Sequence, residues 1–246
     1  MSKERKSPYL YVFEGVDGVG KSSVIKLVHD KIKKFCKVHI HREPTNEETL
    51  KKLANPNLSW LSRLYILMKD RDIHSRDALH RLLQYDHHST WPIVLMDRSF
   101  VSSCVYQSYE SGGKISPFEI MQAHHHAGLL FQAREILVLH APLKEIQRRH
   151  YQREVVESKM LESSKDTFDD YVLKNKALWE KLDAMQQMYK DLVSDASFSF
   201  SAHTGSPIYE INASTPSPEI LAGNIAERIM QDLMVEYDKD RMAQED

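Results

Sequence analysis

The chain has 246 residues, 41% of them hydrophobic and 28% charged, which is ordinary for a soluble globular protein and enough for one large α/β domain or two small ones. A formal net charge of −2 gives no general pull toward nucleic acid or an anionic membrane, so a phosphate ligand must be held by local charge. No run of 18 apolar residues is present to span a membrane, and the polar start over residues 1–8 lacks the apolar core of a signal peptide. Cys36 and Cys104 have no metal-type spacing, and so few cysteines suit a reducing, cytoplasmic setting.

In chain order, residues 9–13 read as a buried strand that runs into a glycine-rich loop. Residues 22–34 have helical spacing, with Val24, Leu27, Val28 and Ile32 on one side. Residues 38–41 form a second short strand. Residues 47–90 read as two or three helices, broken near Asn55-Pro56-Asn57. A third strand covers 91–97. A helix over 100–110 ends at Gly112-Gly113, and another covers 117–131. Residues 136–139 are a fourth strand, followed by Pro142 at a helix start. Residues 167–192 form a long amphipathic helix, 195–207 a Ser-rich loop, 208–211 a fifth strand and 217–237 the closing helix. Strands that alternate with helices predict a three-layer α/β fold, a five-stranded parallel sheet flanked by helices, with ligands at the carboxyl ends of the strands. We read one domain over 9–237, a flexible N-terminus at 1–8 and a polar tail at 238–246. The charged segment at about 148–169 has the composition of a mobile helical lid.

Three of the eight glycines lie between positions 15 and 20. Gly15-Val16-Asp17-Gly18-Val19-Gly20-Lys21-Ser22, with Ser23 next, follows a strand and opens a helix, the context that a phosphate-binding loop requires. Glycines let the backbone turn tightly and aim N–H groups at phosphate oxygens, and the helix N-terminus adds its dipole. Lys21 reaches the β- and γ-phosphates, and the Ser22 hydroxyl can sit on Mg²⁺, so ATP with Mg²⁺ is the expected ligand. Asp97-Arg98 closes the third strand, where a carboxylate can hold Mg²⁺ and an arginine can grip a second phosphate. Asp97 could instead cap the next helix. Arg42-Glu43-Pro44 follows the second strand in the same way, as a substrate-binding element or an ordinary turn.

These motifs together resemble the thymidylate kinases, with their P-loop kinase fold. Residues 13–23 are similar to that family's glycine loop, including its acidic residue at Asp17. Arg42-Glu43-Pro44 resembles its Arg-Glu-Pro element, and Asp70-Arg71-x-x-His74 its Asp-Arg-x-x-His helix. Asp97-Arg98 with Ser102, Ser103, Tyr106 and Gln107 is similar to a further segment, as is Ile211-Asn212-Ala213 with Glu219. The resemblance implies phosphoryl transfer from ATP to a nucleoside monophosphate, usually dTMP. It implies that Arg71 and Arg98 grip the acceptor phosphate. Asp17 would lie near the acceptor sugar or the metal-bound oxygens, and Ser102, Ser103, Tyr106 and Gln107 would line the nucleoside pocket. It also implies a homodimer face on the helices over 99–131. Some members carry an arginine in the glycine loop; here the matching residue is Gly18, so the closing charge is expected from Arg148, Arg149 or Arg153.

The chain departs from the pattern in four places. Leu67 stands where the family often stacks an aromatic residue on the base, Ser99 where it usually has Tyr, and His140 and Asn212 where it has acidic residues. Asp97-Arg98-Ser99 also resembles an element of the deoxynucleoside kinases, in which Glu43 would act as general base on a 5′-hydroxyl. A nucleotide-binding regulatory protein without catalysis is a further alternative, opposed by the intact Lys21, Ser22, Asp97 and Arg98. His124-His125-His126 and His87-His88 point in different directions on a helix, so they are expected on the surface and not on one metal ion. Met185, Met188, Trp60, Trp91 and Trp179 are expected to pack.

Overall fold

The structure is a computed structural model that describes residues 9–74, 92–129, 132–157, 167–194, 204–214 and 217–245. The expectations for residues 1–8, the helical stretch 75–90 with His87 and His88, Trp91, Phe131, positions 158–166 of the lid and positions 195–203 of the Ser-rich loop lie outside the described residues.

Five strands form one parallel sheet. They are β1 (Tyr9–Glu14), β2 (Val38–Arg42), β3 (Ile93–Asp97), β4 (Glu135–His140) and β5 (Ile208–Asn212), in the order β2-β3-β1-β4-β5. β1 lies at the centre and all six of its residues are buried, as are the five of β3. A strand covered on both faces needs a continuous apolar run, and residues 9–13 of β1 and 93–96 of β3 supply it. Each side chain such as Phe13 or Leu95, both fully buried, contributes about 1.5–3 kcal/mol through burial. The register pairs Phe13 with Asp97 and Asp97 with Arg42, so Glu14, Asp97 and Arg42 come to the same carboxyl edge. The strand order reverses around β1, where open α/β sheets place their ligand crevice.

The helices follow as α1 (Lys21–Ile32), α2 (Glu47–Leu53), α3 (Trp60–His74), α4 (Phe100–Glu110), α5 (Pro117–His126), α6 (Leu143–Tyr151), α7 (Phe168–Lys174), α8 (Lys176–Ser194) and α9 (Pro218–Glu245). α1 packs on α9. Ser99 starts α4 by accepting a hydrogen bond from the Val101 N–H, so Asp97 is not needed as a cap. α6 widens into a π-helical turn over Gln152–Glu157. The segment read as one helix over 167–192 is two helices that break at Asn175, whose backbone leaves the helical region (φ −106°, ψ 25°). α5 stops at His126 and not at 131, because Gly128 takes a left-handed turn. The closing helix runs on to Glu245, past the expected end at 237. No helix among the described residues is long and apolar enough to cross a membrane.

Candidate active site

β1 ends at Glu14 and the glycine loop begins at once. Gly15, Gly18 and Gly20 all have positive φ, at 130°, 82° and 107°. A side chain on Gly15 would also collide with the Leu139 carbonyl of β4. Gly20 is the N-cap of α1 and makes no side-chain cap bond, so the first N–H groups of that helix remain available to an anion. Lys21 is buried and donates to the carbonyl oxygens of Gly15 (2.8 Å) and Val16 (2.9 Å). Burial and the nearby Arg98 charge pull its pKa down to about 7, against the opposing carboxylates of Asp17, Asp97 and Glu14.

Ser22 Oγ donates to Asp97 Oδ2 at 2.7 Å. The other oxygen, Asp97 Oδ1, is buried without a hydrogen-bond partner among the described residues. A hydroxyl and a carboxylate with a free lone pair are hard oxygen donors of the kind that hold Mg²⁺ beside phosphate. No group of three His, Cys, Asp or Glu side chains among the described residues could hold a metal alone. Mg²⁺ keeps several waters and takes only one or two protein ligands beside phosphate, a number that Ser22 and Asp97 can supply.

Arg98 follows β3 with φ 74°, a left-handed backbone that costs a non-glycine residue about 1–3 kcal/mol. The turn aims its guanidinium back across the loop. It donates to Asp17, to Ser102 Oγ (3.2 Å) and to Tyr106 OH (3.4 Å), and lies 5.0 Å from the centre of the Tyr106 ring. Tyr106 OH in turn donates to Asp17 Oδ2 at 3.2 Å. Burial alone would raise the Asp17 carboxyl, but Arg98 and Lys21 outweigh it and hold the group below its ordinary pKa. Behind this cluster stands Glu14, fully buried. It accepts hydrogen bonds from Ser99 (2.6 Å), Ser102 (2.6 Å) and Tyr189 (3.1 Å). Burial raises the Glu14 pKa despite those bonds. Sequence reasoning missed Glu14 and Tyr189 as site residues. A lone carboxylate ending an otherwise apolar strand was a usable signal for Glu14; Tyr189 gave none, being one more residue on an amphipathic stripe.

A polar cavity of about 380 Å³ opens here. Its walls include Asp17, Gly18, Gly20, Lys21, Ser22 and Ser23 from the loop side, Arg42, Asp97 and Arg98 from the strand ends, and Arg149 and Arg153 from the lid side. The three lid arginines separate in this geometry. Arg148 is exposed to solvent, pairs with Glu145 at 2.9 Å and does not line the cavity. Arg149 donates to the carbonyls of Val19 and Ala213 (2.8 Å) and to Glu145 (2.9 Å), which ties α6 to the loop and to the turn after β5. Arg153 donates to His150 Nδ1 at 3.2 Å and lines the cavity.

The expected acceptor-side residues are arranged differently. Arg42 lines the cavity. Arg71 does not; it is 3% exposed and locked by Glu43, which it meets through Nε (2.9 Å) and through NH2. Its NH1 meets His124 Nε2 at 2.5 Å, and His124 Nδ1 donates to the Ile120 carbonyl at 2.8 Å. The expectation that His124 lies on the surface is therefore corrected: it is fully buried, and its pKa falls to about 3 through burial and the Arg71 charge. The helix turns one of three consecutive histidines inward, and only the core reveals which. Asp70 accepts from Thr45 N (2.9 Å), Thr45 Oγ1 (3.0 Å), Asn46 Nδ2 (2.8 Å) and Thr49 Oγ1 (2.8 Å). Asp70-Arg71 on α3 thus fixes the turn that carries Arg42-Glu43-Pro44. Ser103 and Gln107 are buried on α4, with Gln107 Oε1 unpartnered among the described residues, and Leu67 is half-buried on α3.

The family model described as "Thymidylate kinase" matches residues 13–192. A thymidylate kinase of Helicobacter pylori is 31% identical over 104 residues, covering 41% of this chain and 50% of that protein. One from Helicobacter acinonychis is 32% identical over 104 residues, with the same coverage. One from Ureaplasma parvum serovar 3 is 30% identical over 116 residues, covering 43% of this chain and 48% of that protein. The matches span about half the length of these curated relatives.

Proposed function

Because this chain belongs to the thymidylate kinase family, we propose that it transfers the γ-phosphoryl group of ATP to dTMP, or to a related pyrimidine deoxynucleotide, and releases the two diphosphates. The observation that carries this reading is the single cavity in which the glycine loop and Lys21 face Arg42 and Arg98. Two phosphate grips in one cavity are the requirement for phosphoryl transfer between phosphates. The loop amides and the N-terminus of α1 hold the donor, and Lys21 neutralises its β- and γ-oxygens. Arg98, aimed by its left-handed backbone and braced by Asp17 and Tyr106, orients the acceptor phosphate, with Arg42 beside it. Mg²⁺ bound at Ser22 and Asp97 supplies further charge neutralisation on the donor phosphates. Arg153 lines the cavity with one hydrogen bond among the described residues, where Arg149 makes three, so it is the one we assign to the charge that spreads as the bond breaks.

The phosphate acceptor is already ionised near neutral pH and needs no general base. The deoxynucleoside kinase alternative does need one, and Glu43 is buried and paired with Arg71. This arrangement favours the monophosphate acceptor. We further propose a cytosolic location, in keeping with the free thiols of Cys36 and Cys104. We also propose the homodimer face on the helices over 99–131, α4 and α5, where Phe118 is exposed.

The test is ADP release from MgATP over a panel of nucleosides and nucleoside monophosphates. Turnover with dTMP is expected. Turnover with thymidine and not with dTMP would reverse the assignment, and ATP binding without turnover across the whole panel would leave a nucleotide-binding regulator.

A further inference from the structure

The glycine loop touches α6 at one unusual point. A Cβ on Gly18 would stand 2.5 Å from His150 Nε2 and 3.2 Å from Ile146, and would also collide with His150 Cδ2. The His150 ring therefore occupies the space that a side chain at position 18 would need. It is 5% exposed and packs edge-on against Trp179 of α8, with ring centroids 5.5 Å apart. Its Nδ1 lies 3.2 Å from Arg153 NH2. A guanidinium has only donors, so Nδ1 is the acceptor, and we assign the ring proton to Nε2 on that ground. Glu154 Oε1 stands at 3.6 Å from Nδ1, beyond hydrogen-bond reach, and the other oxygen of that carboxylate accepts from Tyr171 at 2.7 Å. His150 Nε2 is buried with no partner among the described residues. A ring placed so tightly, with its one acceptor turned to a cavity arginine, has a more specific task than filling space.

We propose that His150 is a positioning residue for phosphoryl transfer: seated against Gly18, it holds the Arg153 guanidinium at the mouth of the phosphate cavity. The lone pair on Nδ1 fixes one N–H of Arg153, a residue that lines the cavity. Because the ring rests on the glycine loop itself, the arginine is placed relative to the donor phosphates and not merely relative to its own helix. The loop carries no side chain at Gly18, and the imidazole from α6 takes that position.

This inference rests on the kinase reading and on Arg153 as its lid cation, so the experiment separates the two. His150→Phe keeps a ring against Gly18 and Trp179 and removes the acceptor. His150→Asn keeps an acceptor near the Nδ1 position. His150→Phe is expected to lower kcat about tenfold, the scale of one charge-assisted hydrogen bond, with both KM values within about twofold of wild type. Arg153→Ala should lower kcat about a hundredfold, and the double variant should be no worse than Arg153→Ala alone. His150→Asn should recover most of the loss. Wild-type kcat in His150→Phe, multiplicative effects in the double variant, or a loss explained wholly by a smaller folded fraction would each overturn the proposal. If the wild-type protein turns over no acceptor, the kinase reading falls and the same variants are read by calorimetry with a non-hydrolysable ATP analogue. There, weakening by His150→Phe and by Arg153→Ala that does not add supports the pair, and unchanged or additive affinities overturn it.

Discussion

Arg71 and Arg153 carry the same guanidinium into opposite circumstances. Arg71 is 3% exposed and bound on both sides, by Glu43 and by His124. Arg153 is exposed, with one N–H on His150, and lines the cavity. The energetics explain the difference. A buried charge costs several kcal/mol unless it is paired, so Arg71 needs its carboxylate merely to exist where it does. An arginine at a cavity mouth keeps its hydration until phosphate replaces it, so it can remain open for a ligand. Arg98 lies between these extremes, braced by Asp17 and Tyr106 yet lining the cavity. Arg71 is tied into the β2 turn through Glu43, whereas the charges that line the cavity are those left partly open.

The sharpest way to break this comparison is Arg98→Ala. It removes the brace and the acceptor grip together, and kcat should fall about a thousandfold, roughly 4 kcal/mol of transition-state stabilisation. Steady-state ADP release checks it, and a loss under tenfold would place the acceptor phosphate elsewhere. Arg71→Ala should act on the fold instead. Leaving Glu43 buried and unpaired should cost about 3 kcal/mol of stability, read from urea unfolding. A variant with wild-type stability and a greatly raised KM for the acceptor would show that Arg71 meets substrate after all.

Lys21 gives a pH prediction. With its pKa pulled down to about 7, part of the population is neutral at working pH. Polyphosphate favours the charged form, so binding takes up a proton above pH 7, and affinity for the triphosphate should fall by up to about tenfold per pH unit as pH rises from there. The same depression means that the unfolded chain binds the extra proton between about 7 and the ordinary lysine value. This group's contribution to stability therefore rises with pH over that window. Calorimetry near pH 8 in two buffers of different ionisation enthalpy reads the uptake directly; identical heats would refute it. Leu67→Phe is a smaller test. A ring there should lower the KM for dTMP about threefold if it stacks on the base. Smallest of all is Arg148→Ala. Its side chain pairs with Glu145 in solvent, a contact worth less than about 1 kcal/mol, so turnover should stay within twofold of wild type.

Much of this was readable along the chain. β1, β3 and β4 are apolar runs of strand length, and their covered parallel packing follows from the helices between them. The stretch 15–22 declared itself by glycine density and by its place between strand and helix. Other features were not readable. Asn175 splits a helix whose apolar stripe continues on both sides, and periodicity does not register a single residue leaving helical φ and ψ. His124 and its two neighbours are identical letters, and only the packing of α5 against α4 decides which is buried.

The sequence by itself determined the order of strands and helices, the phosphate loop and the list of charged residues near it, because these depend on local backbone preference and on contiguous spacing. Tertiary structure alone decided what each charge does. Whether an arginine is locked like Arg71, turned to backbone carbonyls like Arg149 or left open like Arg153 depends on partners contributed by other elements, and burial sets the cost of leaving it unpaired. Gly18 is the clearest case: its meaning is completed by His150, a residue 132 positions away, whose ring fills the space the glycine leaves.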